Sequence, residues 1–302
     1  MPDEPTTRVT AAPATQSSNP DRTVPTRRIS FEQSLQDLPR HFAGDGDLIN
    51  SHLVAALSAV FPDGEDFFVR SVRHFRDRIT DPALKRQVAG FIGQESVHGR
   101  EHRALNDRLQ QLGYPTKRVE KLTKAGLAIR WRLAPPIANL AVTAALEHFT
   151  ATLAELVMTN AEVRAALGHP AVRDLFLWHA LEESEHKAVA FDVYRAMGGS
   201  ERLRVFTMNV LRFGFVAAMA LQVGVSLALD PATYRRGNLR SSWRRFRQSP
   251  IASRALWQQL RDYNRRDFHP DDRDTTPLVE HWRSELFGEH GTLNDKLVGA
   301  VA

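Results

Sequence analysis

Apolar residues recur every three to four positions in four long stretches of the chain, the spacing of helices with one buried face. The first stretch is Asp47 to about Ile79, anchored by Phe67, Phe68 and Val69; Pro62-Asp63-Gly64 in its middle predicts a break there. The second opens at Thr80-Asp81-Pro82, a capping side chain followed by proline in the first turn, and runs to about Leu112, where Gly113 stops it. Pro135-Pro136 opens a third helix ending near Asn160, and His169-Pro170 a fourth that runs to Gly198-Gly199. The connections are short except for Tyr114 to Pro135, read as a long loop crossing from the first helix pair to the second. The pattern predicts an all-α fold.

The two ends of the chain follow different patterns. Met1 to Arg28 is rich in Pro, Thr, Ser and charge and has no apolar run, so residues 1–28 are read as a disordered tail rather than a secretory signal. Residues 29–200 are read as the helical core unit and 201–302 as a helical extension packed on it. Within the extension, Phe213 to Leu229 is seventeen residues without a charge, preceded by Arg204 and Arg212 and followed by Asp230-Pro231. A transmembrane helix usually needs about 20 apolar residues, with a range of about 17–25, so this run is at the margin. It is expected to pack on the rest of the chain or on a second copy, with Arg235 to Arg266 as a basic amphipathic cover. Attachment to an anionic membrane surface is the alternative, and a true span the third reading.

Composition narrows the chemistry. The chain has 302 residues, 42% of them hydrophobic, and no cysteine. Disulfides, thiolate zinc sites, iron–sulfur clusters and cysteine nucleophiles are excluded together, so any metal must be held by nitrogen and oxygen donors, which suits iron, manganese or zinc. The sequence pI of about 9.8 reflects a local excess: residues 235–266 hold ten arginines, one acidic residue and no lysine. No nucleic-acid partner is expected, and the cytoplasm is the expected location, with peripheral membrane attachment left open.

Two of the four helical stretches carry Glu-x-x-His, as Glu95-Ser-Val-His98 and Glu183-Ser-Glu-His186; the stretch before each carries an isolated glutamate, Glu65 and Glu147. A helix turns about 100° per residue, so residues three apart lie on one face and can grip one ion together. Two helices giving Glu-x-x-His and two giving one Glu each is the ligand set of a di-metal carboxylate site in a ferritin-like four-helix bundle. In such a bundle Glu95 and Glu183 are the expected bridges and Glu65 and Glu147 the terminal ligands. His179, one turn before Glu183, is read as a seventh ligand. His102, one turn after His98, is read as an extra ligand or a hydrogen-bonded neighbour of one. Glu182, Glu185 and Glu101 project away from the ligand stripe and are read as surface charges.

Phe61-Pro62 through Phe68, Phe91-Ile92-x-Gln94-Glu95-x-x-His98, Glu147-His148-Phe149-Thr150, Trp178-His179-x-x-Glu182-Glu183-x-Glu185-His186 and Asp262-Tyr263 through Phe268-His269-Pro270 together resemble the predicted metal-dependent hydrolase family of bacteria. The ligand spacing is also similar to that of the di-iron p-aminobenzoate N-oxygenases, a resemblance that implies His179 as the histidine completing a three-histidine, four-carboxylate shell. In ribonucleotide reductase radical subunits a tyrosine stands one turn beyond the first Glu-x-x-His. His102 occupies that position here, which disfavours a stable tyrosyl radical.

The leading expectation is therefore a di-iron enzyme that activates O2 to oxidise a small apolar or aromatic substrate, with an external electron donor. The alternatives are a di-metal hydrolase, with manganese or zinc in place of iron, and a non-catalytic metal-binding or membrane-surface protein. A homodimer is left open.

Overall fold

Capping side chains and prolines set the helix starts. Asp47 accepts from the Asn50 amide (2.9 Å) to open α1, Leu48–Arg73, and Asp81 accepts from the Ala83 amide (2.8 Å) ahead of α2, Pro82–Gln111. After α3, Thr116–Leu133, prolines at the first turn open α4, Pro136–Thr159, and, beyond a short α5, Ala161–Ala166, also α6, Pro170–His186. Then come α7, Val189–Ala196; α8, Glu201–Ala228; α9, Asn238–Gln248; α10, Arg254–Asp262; and α11, Thr276–Phe287. The computed structural model describes residues 19–299, and among these the only β feature is an isolated bridge between Ile29 and Leu297. The fold is all-α.

Helix α1 packs chiefly on α2 and α4 on α6, and contacts of α1 with α4 and of α2 with α6 and α7 close the group. Two apolar clusters fill it. One holds Leu105 and Leu109 of α2 and Leu175 and Trp178 of α6, with Phe31 and Leu35 from the segment before α1. The other holds Phe67 and Phe68 of α1, Phe91 of α2, Leu140 of α4, and Val193 and Tyr194 of α7. The changeover between clusters falls at Glu65 on α1, Glu95 on α2 and Glu183 on α6, and just beyond Glu147 on α4, so a polar belt separates two apolar halves.

Several elements differ from their expected form. Helix α1 passes through Pro62 without a break. Proline removes the amide that would bond the carbonyl four residues back, but the Asn106 side-chain amide donates to that carbonyl, Ser58 O, at 3.1 Å. Tyr114 to Pro135 is mostly α3, because its Lys, Arg, Leu and Ala residues are good helix formers although few of them are buried. The fourth helix is interrupted at Lys187-Ala188, which divides α6 from α7 with no proline or glycine to mark it.

The expected tail lies outside the described residues up to position 18. From 19 to 28 the chain is instead an extended strap along α2. A Cβ on Gly90 would stand 2.1 Å from the Val24 carbonyl oxygen and one on Gly93 2.0 Å from Thr26 Oγ1, so only glycine admits this approach. Gln87 and Gln94 donate to the Asn19 and Pro25 carbonyls at 2.7 and 3.0 Å.

Phe213 to Leu229, expected to pack on the rest of the chain or on a second copy, packs on the chain along one side only. Helices α4 and α8 are both long and apolar enough to cross a membrane, but 61% of the α4 window is buried against only 17% of the α8 window. Helix α8 packs on α1 and α4 along one side. Its opposite side is apolar and open: Phe206 is 66% exposed, Phe213 61% and Leu221 69%.

Candidate metal centre

Glu65 of α1, Glu95 and His98 of α2, Glu147 of α4, and His179, Glu183 and His186 of α6 converge in the polar belt, none more than 4% exposed. Glu183 faces two directions: Oε1 lies 2.8 Å from His179 Nε2 and 3.7 Å from His98 Nδ1, while Oε2 lies 3.6 Å from His186 Nε2. Glu95 Oε1 lies between His98 Nδ1 (3.8 Å) and His186 Nε2 (3.1 Å). Glu65 sits toward His179 (3.9 Å) and Glu147 toward His186 (3.4 Å). Both carboxylate oxygens of Glu65, Glu95 and Glu147, together with Glu183 Oε2, His98 Nδ1 and His186 Nε2, are buried without a hydrogen-bond partner.

Four carboxylates gathered in a dry core are costly unless a cation joins them. Burial, and then the charge of Glu95, pushes Glu65 well above the usual carboxylate range; burial and Glu147 do the same to Glu95. Burial and Glu183 push Glu147 up to about 7. Burial would raise Glu183 as well, but His186 and His179 beside it outweigh that and hold it well below. A bound cation reverses the logic for the carboxylates that resist ionising. These residues form several overlapping groups able to hold metal ions, among them Glu95–Glu147–His186 and His98–His179–Glu183.

Each histidine has its other nitrogen occupied. His186 Nδ1 donates to Gln94 Oε1 at 2.7 Å, because Gln94 Nε2 is committed to Glu185 and the Pro25 carbonyl. His98 Nε2 donates to Glu182 Oε2 at 3.0 Å. For His179 the tautomer is assigned by a chain of bonds. Asn106 Nδ2 faces the Ser58 carbonyl, so Asn106 Oδ1 accepts from Ser58 Oγ (2.7 Å). Ser58 Oγ then accepts from His102 Nδ1 (2.9 Å), leaving His102 Nε2 to accept from His179 Nδ1 (2.7 Å). All three histidines therefore turn their second nitrogen inward, His179 Nε2 donating to Glu183 Oε1 at 2.8 Å, and a hydrogen bond on the other side fixes each ring. His102 spends both its nitrogens on this chain.

Glu182, Glu185 and Glu101 are buried, at 0%, 3% and 2% exposure, and not on the surface. Residues remote in sequence cover them. Arg27 of the strap donates to Glu182 (2.9 Å) and with two nitrogens to Glu185 (2.8 and 2.7 Å), and Arg283 of α11 donates to Glu185 (2.9 Å). Glu101 accepts from the Phe31 amide at 2.8 Å. A further His–carboxylate group, His41–His52–Asp230, lies apart from the belt. It is already satisfied: Asp230 accepts from His41 (2.8 Å), His52 (3.1 Å) and the Ala232 amide (2.9 Å).

An apolar cavity of about 80 Å³ reaches His179 and Glu183, walled by Leu57 and Phe61 of α1, Thr150 and Leu153 of α4 and Phe176 of α6. Groups able to hold metal ions therefore lie beside a small apolar cavity.

The chain matches, over residues 25–274, the family model described as predicted metal-dependent hydrolase. It belongs to that family. No curated protein and no solved structure matches it. Membership in this predicted metal-dependent hydrolase family supports a metal-dependent enzyme and overturns the expectation of an O2-activating oxygenase; the hydrolase alternative is the one that the match supports.

Proposed function

We propose that the chain hydrolyses an ester or phosphoester bond of a small, largely apolar substrate, using two divalent ions held between α1, α2, α4 and α6. The observation that carries this reading is the set of buried carboxylate oxygens and histidine nitrogens that face one another without hydrogen bonds. Glu95 and Glu183 would be held in common by the two ions, since each lies between the two histidine positions. Glu65, His98 and His179 would complete the shell of one ion, and Glu147 and His186 that of the other. Manganese or zinc suits the nitrogen and oxygen donors, and hydrolysis needs no change of oxidation state. When bound, the metals supply an acidified water and polarise the bond that breaks.

The rest is the work of the chain. Glu182, Gln94 and His102 each accept from the outward nitrogen of His98, His186 and His179, and so hold each ring with a proton on its outer side. Phe61 lies against both His102 and His179, with ring centroids 4.7 and 4.9 Å away, and keeps water off that side. The cavity walls orient the apolar part of the substrate.

The test strips the purified protein with a chelator, reloads it with manganese or zinc, and assays a panel of aryl and alkyl esters and phosphoesters. Turnover that needs the metal and is lost in Glu95→Ala supports the reading. Loaded protein that cleaves neither class would refute it.

A further inference from the structure

The open side of α8 and the helices beside it combine apolar surface, interfacial aromatics and unpaired cations. Phe206, Val210, Phe213 and Leu221 follow one another at helical spacing on the outer face of α8, each more than half exposed. Tyr234, before α9, is 74% exposed, and Trp243 on α9 is 51% exposed. Arg235, Arg236, Arg240, Arg244 and Arg247 are exposed and have no ion-pair partner among the described residues, whereas the neighbouring Arg245 is paired with Asp47 at 2.6 Å.

Between α8 and α9–α10 runs a groove of about 1040 Å³, almost wholly apolar except where Arg235, Arg236 and Arg240 line it. Ligand-sized sites span roughly 300–1,000 Å³, so the groove has room for a long chain. Leu53, Leu57, Leu153 and Ile251 line both this groove and the cavity that touches His179 and Glu183. On α1 the order Leu53, Leu57, Phe61, Glu65 is one helical stripe leading from the shared wall to the metal centre, a rise of about 18 Å over twelve residues.

We propose that the α8–α10 face docks on an anionic lipid bilayer, with the arginines on the lipid headgroups, the exposed apolar residues in the interface, and the groove open to a lipid chain that runs toward the metal centre. Charge complementarity selects this occupant. A second copy of the chain would bring five unpaired arginines against five more, while an anionic leaflet neutralises them. Exposed tryptophan and tyrosine beside arginines are also the residues that sit at the headgroup level.

The experiment is flotation of the purified, metal-loaded chain with vesicles of equal parts phosphatidylglycerol and phosphatidylcholine, and with phosphatidylcholine alone. No turnover is measured, so the outcome is separate from that of the hydrolase reading. Binding to the anionic vesicles that high salt releases, with a blue shift of tryptophan emission, supports the proposal. The triple variant Arg235→Glu, Arg240→Glu, Arg244→Glu should then bind on the order of a hundredfold more weakly. Phe213→Ser with Leu221→Ser should retain the charge-driven association but lose the blue shift. Failure to float on either vesicle, equal binding to both, or attachment that only detergent reverses would each overturn it. So would a dimer in sedimentation that the Phe213→Ser, Leu221→Ser variant dissociates.

Discussion

The side-chain amide of Asn106 on α2 donates to the backbone carbonyl of Ser58 on α1, the acceptor that Pro62 leaves without its helical partner. The same Asn106 accepts from the Ser58 hydroxyl and so starts the chain of bonds that ends at His179. One residue thereby serves both the continuity of α1 and the proton placement at the metal centre.

Asn106→Ala is expected to destabilise the metal-free protein by about 1–3 kcal/mol, because it leaves the buried Ser58 carbonyl without a donor and the Ser58 hydroxyl proton without its acceptor. Adding Pro62→Ala should recover part of that loss, since the restored amide can donate to Ser58 O. The two substitutions should be coupled by roughly 0.5–3 kcal/mol in a double-mutant cycle read by urea unfolding. Simple additivity would mean that Asn106 does not stand in for the missing amide.

The pairing of Glu95 with His98 and of Glu183 with His186 was legible because helical spacing alone puts each pair on one face. The burial of Glu182, Glu185 and Glu101 was not legible, since it depends on Arg27, Arg283 and the Phe31 amide, which come from distant parts of the chain. A hint was present in Glu182-Glu183-Ser-Glu185, an acidic run with only Lys187 as a basic neighbour in sequence. The passage through Pro62 was hidden for the same reason: its remedy sits forty-four residues further along. The strap was hidden because a glycine inside a helix, as at Gly90 and Gly93, does not say which distant segment lies against it.

The strap reverses a usual sign. Replacing a helix-interior glycine by alanine ordinarily gains roughly 0.5–1 kcal/mol. Gly64→Ala in α1, with nothing near its Cβ, should show that gain, whereas Gly90→Ala, aimed at the Val24 backbone oxygen, should lose stability and expose residues 19–28 to protease. Urea midpoints and limited proteolysis of the two variants check this; a gain at both sites would show that the strap is not seated on α2.

His52 gives a pH dependence with a definite sign. Burial pushes it down to about 4, despite the opposing pull of Asp230. The unfolded chain, with an ordinary histidine value of about 6.5, therefore takes up the proton first as pH falls. The contribution of neutral His52 is complete above about pH 6.5 and is lost between about 6.5 and 4. Asp230 is held below its ordinary value, where burial is outweighed by His41, the Ala232 amide and His52, so its own contribution is lost only at more acidic pH. His98 and His102 are also pushed down, by burial and then by His179, and add slopes of the same sign. The informative quantity is therefore the difference between wild type and His52→Gln, measured by urea unfolding from pH 4 to 8. That difference should shrink as pH falls through this window, and a difference independent of pH would rule out the assignment.

The arrangement of donors also predicts metal stoichiometry. Two ions per chain are expected, and Glu95→Ala should lose both, because Glu95 Oε1 lies within 3.8 Å of His98 on one side and 3.1 Å of His186 on the other. Glu147→Ala removes a carboxylate that, of the three histidines, lies near His186 only, and should leave the ion near Glu65, His98 and His179 in place. Stability should follow the metal, since binding to the folded state adds directly to folding and the unfolded chain lacks the site. Chelation should therefore lower the melting temperature of the wild type most, of Glu147→Ala less, and of Glu95→Ala little. Metal analysis and thermal unfolding on the same samples test both parts. One ion per chain in the wild type, or unchanged metal content in Glu95→Ala, would show that Glu95 does not bridge two positions.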